Sequence, residues 1–555
     1  MLRSRSSLLG FLCLTLLAGP LGGCLDGEGT MDELAPGEFV KGMGGKEDAS
    51  ALATVLDFEF DGTVMTDWAW DTDRVIQDQL LYTIGHLNGE NSVGRLDRLE
   101  LSDVTQESTP EGRTTVRYHA RIPVAWGSKT NLPTSYTLTL PLDVSFNGQK
   151  AFTEKYVHTC VEAGAHDVDS GSMWYYYRPR RSGCVLADED VVHIDAAVSI
   201  SAVNTTGKYP EYHEIWKDET LRVVAVFGKY KDGATASSDA GISAYNEFVD
   251  EITDRLSADT LETTPETIPD RPGVDAAAPD IELRATLPDG RTVQVNILLV
   301  DNIANATAEF YSRYEALSTH ADLIAYNGHS GLGQNVRALA TKGQWIAGQY
   351  VIVFLNGCDT FAYVDGSLAD ARAEVNPDDP EGTRYMDFVV NAMPAYFRSD
   401  SEATMAIVDG LLSWQTPQTY ETIFGHIDSH QVVLVTGEED NVYFPGYDPD
   451  APPVVDPTDA WEGLSVAGTV ARDEENGYQT PVLAAGAYRF EMTGTGDADL
   501  YVRVGAPPTP DLWDCRPYRT GSEETCDLDL NTPAEVFVMV RGWAEASDYA
   551  LTGRQ

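Results

Sequence analysis

Positive charge, cysteine and long apolar runs are all scarce in this chain of 555 residues. Its 38 lysines and arginines face 87 aspartates and glutamates, for a net charge of −49. Such a field repels nucleic acid and anionic lipid surfaces, so neither is expected as a partner. Beyond the N-terminus no stretch is long and apolar enough for a membrane-spanning helix. Neither an internal repeat nor a glycine-rich phosphate loop occurs. No short Cys/His spacing of the zinc type is present either, and the chain is expected to hold no resident cofactor or metal. What is present, 43% hydrophobic and 10% aromatic residues, belongs to a globular protein of about three domains.

At the start, Arg3 and Arg5 precede an apolar stretch over residues 8–17 that is too short to cross a bilayer. These are the parts of an export signal. Leu21-Gly22-Gly23-Cys24 follows and resembles the lipobox of bacterial lipoproteins. The resemblance implies removal of residues 1–23 and lipidation of Cys24, which anchors the chain to a lipid bilayer. Leu25 at the next position implies an outer-membrane or surface lipoprotein rather than an inner-membrane one. Residues 24–50 are rich in Gly, Asp and Glu and read as a tether.

Residues 51–215 carry short alternating segments, such as 114–122 and 135–140, broken by Gly, Pro and Asn. This predicts a β-rich N-terminal domain, with a helix over 74–86. Over 216–440 the character changes. Apolar runs at 223–227, 293–300, 323–326 and 351–355 alternate with helical patterns over 240–256 and 304–318. A further helix is expected over 385–397, and strands over 404–408 and 431–436. Continuous apolar strands alternating with helices predict an α/β core with a parallel sheet covered on both faces. Prolines and acids over 441–460 mark a linker, and alternating strands over 461–555 predict a small β-sandwich.

Cysteine usage singles out one residue. Cys160 and Cys184 form a local pair, as do Cys515 and Cys526, and an oxidising envelope makes disulfides of both. For the first pair a metal site with His158, His166 or His193 is the alternative. Cys358 is left alone at the end of the 351–355 run, and His329 stands just beyond the 323–326 run. A thiol and an imidazole at the ends of two buried strands are the parts of a cysteine nucleophile with its base. Gly328, Gly331 and Gly357 flank them and allow close backbone approach.

Asn327-Gly328-His329-Ser330-Gly331 and Leu355-Asn356-Gly357-Cys358-Asp359-Thr360 resemble the clan of caspases, gingipains and legumains. The resemblance covers about residues 220–440 and is closest to the gingipain-like bacterial members. It implies a caspase-like α/β sandwich core hydrolysing peptide bonds, with His329 as base and Cys358 as nucleophile. Backbone amides around Ser330, Gly331 and Gly357 would hold the oxyanion, although members carry glycine directly after the histidine, where this chain has Ser330. The partner implied is a protein or peptide substrate. The rival reading is a non-catalytic surface lipoprotein that binds a glycan or protein.

Residues 485–488, 493–503 and 515–526 resemble the bacterial pre-peptidase C-terminal domain, a β-sandwich appended to secreted peptidases of several catalytic types. Within it Asp497 and Asp499 offer hard oxygens to calcium, or cap a turn. Trp174-Tyr175-Tyr176-Tyr177 with Arg178, Arg180 and Arg181 reads either as a binding surface or as a core strand with a basic exit.

Overall fold

The computed structural model describes residues 48–555 apart from 68–69, 109–111, 164, 166–167, 259, 275–279, 393–394, 438–440, 448–460, 462, 511 and 531–533. The export signal, Cys13, Cys24, residues 24–47 of the expected tether, His166 and most of the proline-rich linker lie outside the described residues, whereas Ala49–Ser50, expected as the end of that tether, is a buried strand. The chain divides into two compact units, residues 1–446 and 447–555.

Within the first unit, one layer is a six-stranded antiparallel sheet built around the long strands Thr54–Thr66 and Thr114–Trp126. Buried and open positions alternate along both strands, the period-two pattern of a sheet with one face in the core. The inner face packs Leu56, Phe58, Phe60, Tyr118 and Ile122 with Leu80, Tyr82 and Tyr177. The helix expected over 74–86 is two helices, Thr72–Leu80 and Tyr82–Asn88. Asp71 caps the first by accepting from the Arg74 amide (3.1 Å). Trp174 to Tyr176 fall on a single helical turn, Met173–Tyr176, and not on a strand. Tyr175 and Tyr177 are buried there, and Arg178 is buried in an ion pair with Glu162 (2.8 Å). Tyr175, Tyr177 and Arg178 are therefore core while Arg180 and Arg181 remain exposed, and Cys160–Cys184, a disulfide, lies beside them.

The other layer is a nine-stranded sheet. In spatial order its strands are Ala49–Ser50, Val433–Thr436, Met386–Asn391, Val351–Asn356, Leu323–Asn327, Thr220–Gly228, Thr292–Val300, Ile281–Thr286 and Thr260–Thr264. The five strands from Met386–Asn391 to Thr292–Val300 are parallel to one another. Both faces are buried. Val224, Val226, Ile324, Val353 and Phe388 pack on one side with Tyr314, Val336, Leu339 and Leu368. On the other, Phe227 meets Tyr245 and Phe248 of the helix Ala240–Leu256.

Two expected elements are exchanged. Residues 386–391 form a fully buried strand rather than a helix, and 404–408 lie inside the helix Asp400–Leu412 rather than on a strand. The reason is local. Met-Asp-Phe-Val-Val-Asn hides a carboxylate at its second position, which Lys208 pairs from afar (2.7 Å). Thr404 and its neighbours are buried at helical spacing, behind a first turn that carries Glu402. The acidic, proline-containing stretch after residue 260 holds the strands Thr260–Thr264 and, beyond it, Ile281–Thr286, which alternation within Glu282 to Thr286 satisfies.

The second unit is antiparallel throughout, a four-stranded and a three-stranded sheet enclosing Phe490, Leu500, Val538 and Leu551. Cys515 and Cys526 are joined. Asp497 Oδ1 accepts from the Gly521 amide (2.7 Å) and Asp499 Oδ2 pairs with Arg516 (2.7 Å). The two carboxylates thus cap a turn and close an ion pair, the alternative to calcium.

Candidate functional site at the strand ends

The central sheet grows in two directions from Thr220–Gly228. The chain goes first to Thr292–Val300 on one side, then crosses to Leu323–Asn327 on the other. Loops leaving the carboxyl ends of Thr220–Gly228 and Leu323–Asn327 therefore part in opposite directions and leave a crevice, the usual ligand position in such sheets. Tyr230 follows the first of these strands and His329 the second. They meet: His329 Nε2 lies 3.2 Å from the Tyr230 carbonyl, and the two rings are 5.4 Å apart. Phe397, from the loop after Met386–Asn391, closes the group at 4.9 Å from the imidazole.

A carbonyl only accepts, so Nε2 carries the proton and Nδ1 keeps a lone pair. Crowding by protein holds the His329 pKa below its usual value, against the Tyr230 carbonyl and the carboxylates of Asp232 and Asp239, which raise it. The side chain nevertheless keeps an exposed face. At pH 7 the ring is neutral, and it can accept a hydrogen bond through Nδ1.

The loop that carries it is fixed by its own chain. Tyr326 donates its hydroxyl to the His329 carbonyl (2.6 Å), and Asn335 donates its amide to the same oxygen (2.7 Å). Gly331, Leu332 and Gly333 are all left-handed, with φ of 60°, 53° and 85°. Leu332 pays the steric cost that the two glycines avoid.

The strands under His329 and Cys358 are adjacent and level, with Asn327 opposite Asn356. Their loops touch: a Cβ on Gly357 would stand 2.6 Å from the Gly328 carbonyl and 3.4 Å from the Ser330 amide. Ser330, Gly331 and Gly357 are thus brought together by backbone, as are the chain positions 329 and 358. The imidazole contacts Tyr230 and Phe397, and Cys358 Sγ faces the carbonyl of Ala395 in the same loop at 3.5 Å.

Beneath the crevice lies a polar layer that sequence reading missed. Asn327, Asn356 and Asn391 end three neighbouring strands and share side-chain hydrogen bonds of 2.7 and 2.9 Å. Gln431 adds an amide to Asn356 Oδ1 (2.6 Å), and Thr404 a hydroxyl to Asn327 Oδ1 (2.9 Å). The N-terminal layer also reaches this edge: Asn88 donates to Asp359 (2.8 Å), and Trp174 packs by Tyr363.

No family model matches the chain. Curated relatives share a short segment. A zinc metalloprotease of Helicobacter pylori is 40% identical over 82 residues, 15% of this chain and 32% of the relative. The hemagglutinin/proteinase of Vibrio cholerae is 40% identical over 82 residues, 15% of this chain and 14% of its own length. The alkaline serine exoprotease A of Vibrio alginolyticus is 43% identical over 58 residues, 10% of this chain and 11% of its own. The chain thus spans a third or less of the length of these relatives. Among solved structures, the C-terminal 100 residues of vEP are 32% identical over 16% of this chain and 90% of that one, at a TM-score of 0.15. A TM-score so low carries no argument about fold.

These relatives overturn the cysteine-peptidase reading of the caspase and gingipain resemblance. Their names give a zinc metalloprotease, a hemagglutinin/proteinase and a serine protease, not cysteine peptidases. In the structure His329 Nε2 is taken up by the Tyr230 carbonyl, and Cys358 Sγ lies buried against the Ala395 carbonyl. The roles expected of His329 as base and Cys358 as nucleophile fall with that reading.

Zinc in a relative's name also runs against the expectation of a chain without a cofactor. The residues present do not fit that ion: among the described residues no three His, Cys, Asp or Glu converge as a metal site. The histidines are dispersed instead. His119 is held by Asp61 and Glu59, His213 by Glu211 and Glu214, and His430 by Asp428, each in a separate place.

Proposed function

We propose that this chain is an envelope protein that engages polypeptide in the crevice between the loops of Tyr230 and His329. The observation that carries the ligand class is the segment 40% identical to parts of two named proteinases. A stretch of 82 residues shared at 15% of this chain is too small to bring a whole protease with it. It fits a part that accompanies polypeptide-directed proteins of different chemistry.

The switch-point position supports the place. The crevice offers a neutral imidazole with a free lone pair, two aromatic rings, and a polar layer that fixes the floor. An extended polypeptide presents amide donors for Nδ1 and side chains for the ring faces. The export signal in the sequence supports an envelope location.

The test is binding of a fluorescent, unfolded casein to the full chain, read by anisotropy. His329→Ala is expected to weaken binding by about tenfold or more, the loss typical of an anchor at the centre of an interface. Unchanged affinity in that variant contradicts the assignment.

A further inference from the structure

Directly after Cys358 the backbone turns left-handed at Asp359 (φ 56°), a rare conformation for a residue with a side chain. The turn drives a carboxyl out of the sheet edge and into the N-terminal layer, where it is fully buried. Asn88, the last residue of the helix Tyr82–Asn88, donates to its Oδ2 at 2.8 Å. Oδ1 has no well-formed hydrogen bond, with the Tyr175 hydroxyl close by.

The charged groups around it offer no cation to balance an ionised carboxyl. Arg178 is the nearest positive charge in this cluster, and it is already held by Glu162 (2.8 Å) and by the carbonyls of Gly85 (2.7 Å) and Tyr175 (3.0 Å). Glu162 itself adds negative charge. Tyr363 from the core side and Tyr175 from the N-terminal side complete the surroundings, both with hydroxyls held neutral by burial.

The N-terminal side of this contact is one block. A Cβ on Gly85 would stand 2.3 Å from the Trp174 carbonyl, so the helix Tyr82–Asn88 and the turn Met173–Tyr176 are in close contact. The core side leads back to the crevice. Tyr363 lies against the position of Gly333, in the loop that carries His329, with its ring 3.2 Å from where a Cβ would sit.

We propose that Asn88 and Asp359 form a pH-operated latch between the N-terminal layer and the strand-end loops, shut while the carboxyl is protonated and released as it ionises. In the shut state burial pushes the Asp359 pKa up to about 8. In an open, hydrated state it returns to the ordinary carboxylate range near 4. The shut state therefore binds a proton that the open state has lost, and opening becomes easier as pH rises between those two values. Above about pH 8 both states are ionised and the dependence ends.

Hydrogen exchange on the full chain at pH 6 and pH 9, corrected for intrinsic rates, reads the latch directly. Wild type is expected to lose tenfold or more of its protection in Tyr82–Asn88 and Thr360–Tyr363 at the higher pH. Asp359→Asn keeps an acceptor for Asn88 and cannot ionise, so its protection should not change with pH. Asn88→Ala removes the donor and should expose both segments already at pH 6. Equal protection of wild type at the two pH values overturns the proposal. So does a wild-type pH response in Asp359→Asn, or wild-type protection at pH 6 in Asn88→Ala.

Discussion

Lys208→Met should destabilise residues 48–446 by about 3–5 kcal/mol, the loss expected when one partner of a buried ion pair is removed. Lys208 and Asp387 are both fully buried, 2.7 Å apart, at the strand Met386–Asn391 that borders the parallel part of the sheet. Tyr350 and Tyr420 donate to the other carboxylate oxygen at 2.7 and 2.6 Å, and Lys208 donates to the Gly437 carbonyl as well. Burial raises the Asp387 pKa, and Lys208 and the two hydroxyls oppose that rise. Methionine keeps the length of the lysine stem but strands the carboxyl and the Gly437 carbonyl together. Adding Asp387→Asn removes the stranded charge, so the double variant should recover part of the loss. Urea unfolding followed by tryptophan fluorescence measures both. A loss under 1 kcal/mol in Lys208→Met, or a double variant worse than the sum of the singles, contradicts this account of the pair.

A second large effect lies in pH. Burial pushes the carboxyls of Asp322 and Asp359 up to about 8 and that of Asp400 well above its usual value. In the unfolded chain all three return to near 4. The folded state thus holds protons that the unfolded state releases, so these groups favour folding most at low pH. Their contribution falls as pH rises from about 4 to about 8. Stability of the first unit should accordingly drop between pH 5 and pH 8, opposite to ordinary acid denaturation. The net charge of −49 acts in the same direction, because self-repulsion grows as the remaining acids ionise. Asp322→Asn keeps the oxygen that accepts from the Arg222 amide (2.7 Å) and removes the titration. It should stabilise the protein by about 2–5 kcal/mol at pH 8 and by nothing at pH 4, since one pKa unit corresponds to about 1.4 kcal/mol. Wild-type stability that rises from pH 5 to pH 8, with Asp322→Asn running parallel to it, sinks the argument.

Much of the frame around the crevice could be read from local pattern. The runs 323–326 and 351–355 are short, apolar and followed by glycine, and they form neighbouring strands that end level. The helix Ala240–Leu256 shows its period and its Asp239 cap in the chain itself. Other features depend on distant partners. Met386–Asn391 carries an aspartate that only Lys208, nearly two hundred residues earlier, makes tolerable in a buried strand. Tyr230 and Phe397 reach His329 from loops about a hundred and about seventy residues away, and no local spacing connects them. Asn88 and Asp359 are separated by 271 residues.

Residue type misled where its state mattered. A lone cysteine and a histidine at two strand ends read as a nucleophile and its base. Yet the imidazole Nε2 is engaged by the Tyr230 carbonyl, and the sulfur lies against the Ala395 carbonyl. The asparagines that end three strands were visible as letters, but their shared hydrogen bonds appear only once the strands lie side by side.

Crosslinking bears most directly on the crevice as the seat of polypeptide engagement. A photo-reactive residue at Arg398, whose side chain is 65% exposed beside Phe397, reports on the crevice, and one at the exposed Phe146 serves as the control. With unfolded casein and full-length protein, crosslinks are predicted from position 398 and not from 146. Crosslinks from 146 alone, or equal yields from both positions, would contradict the account.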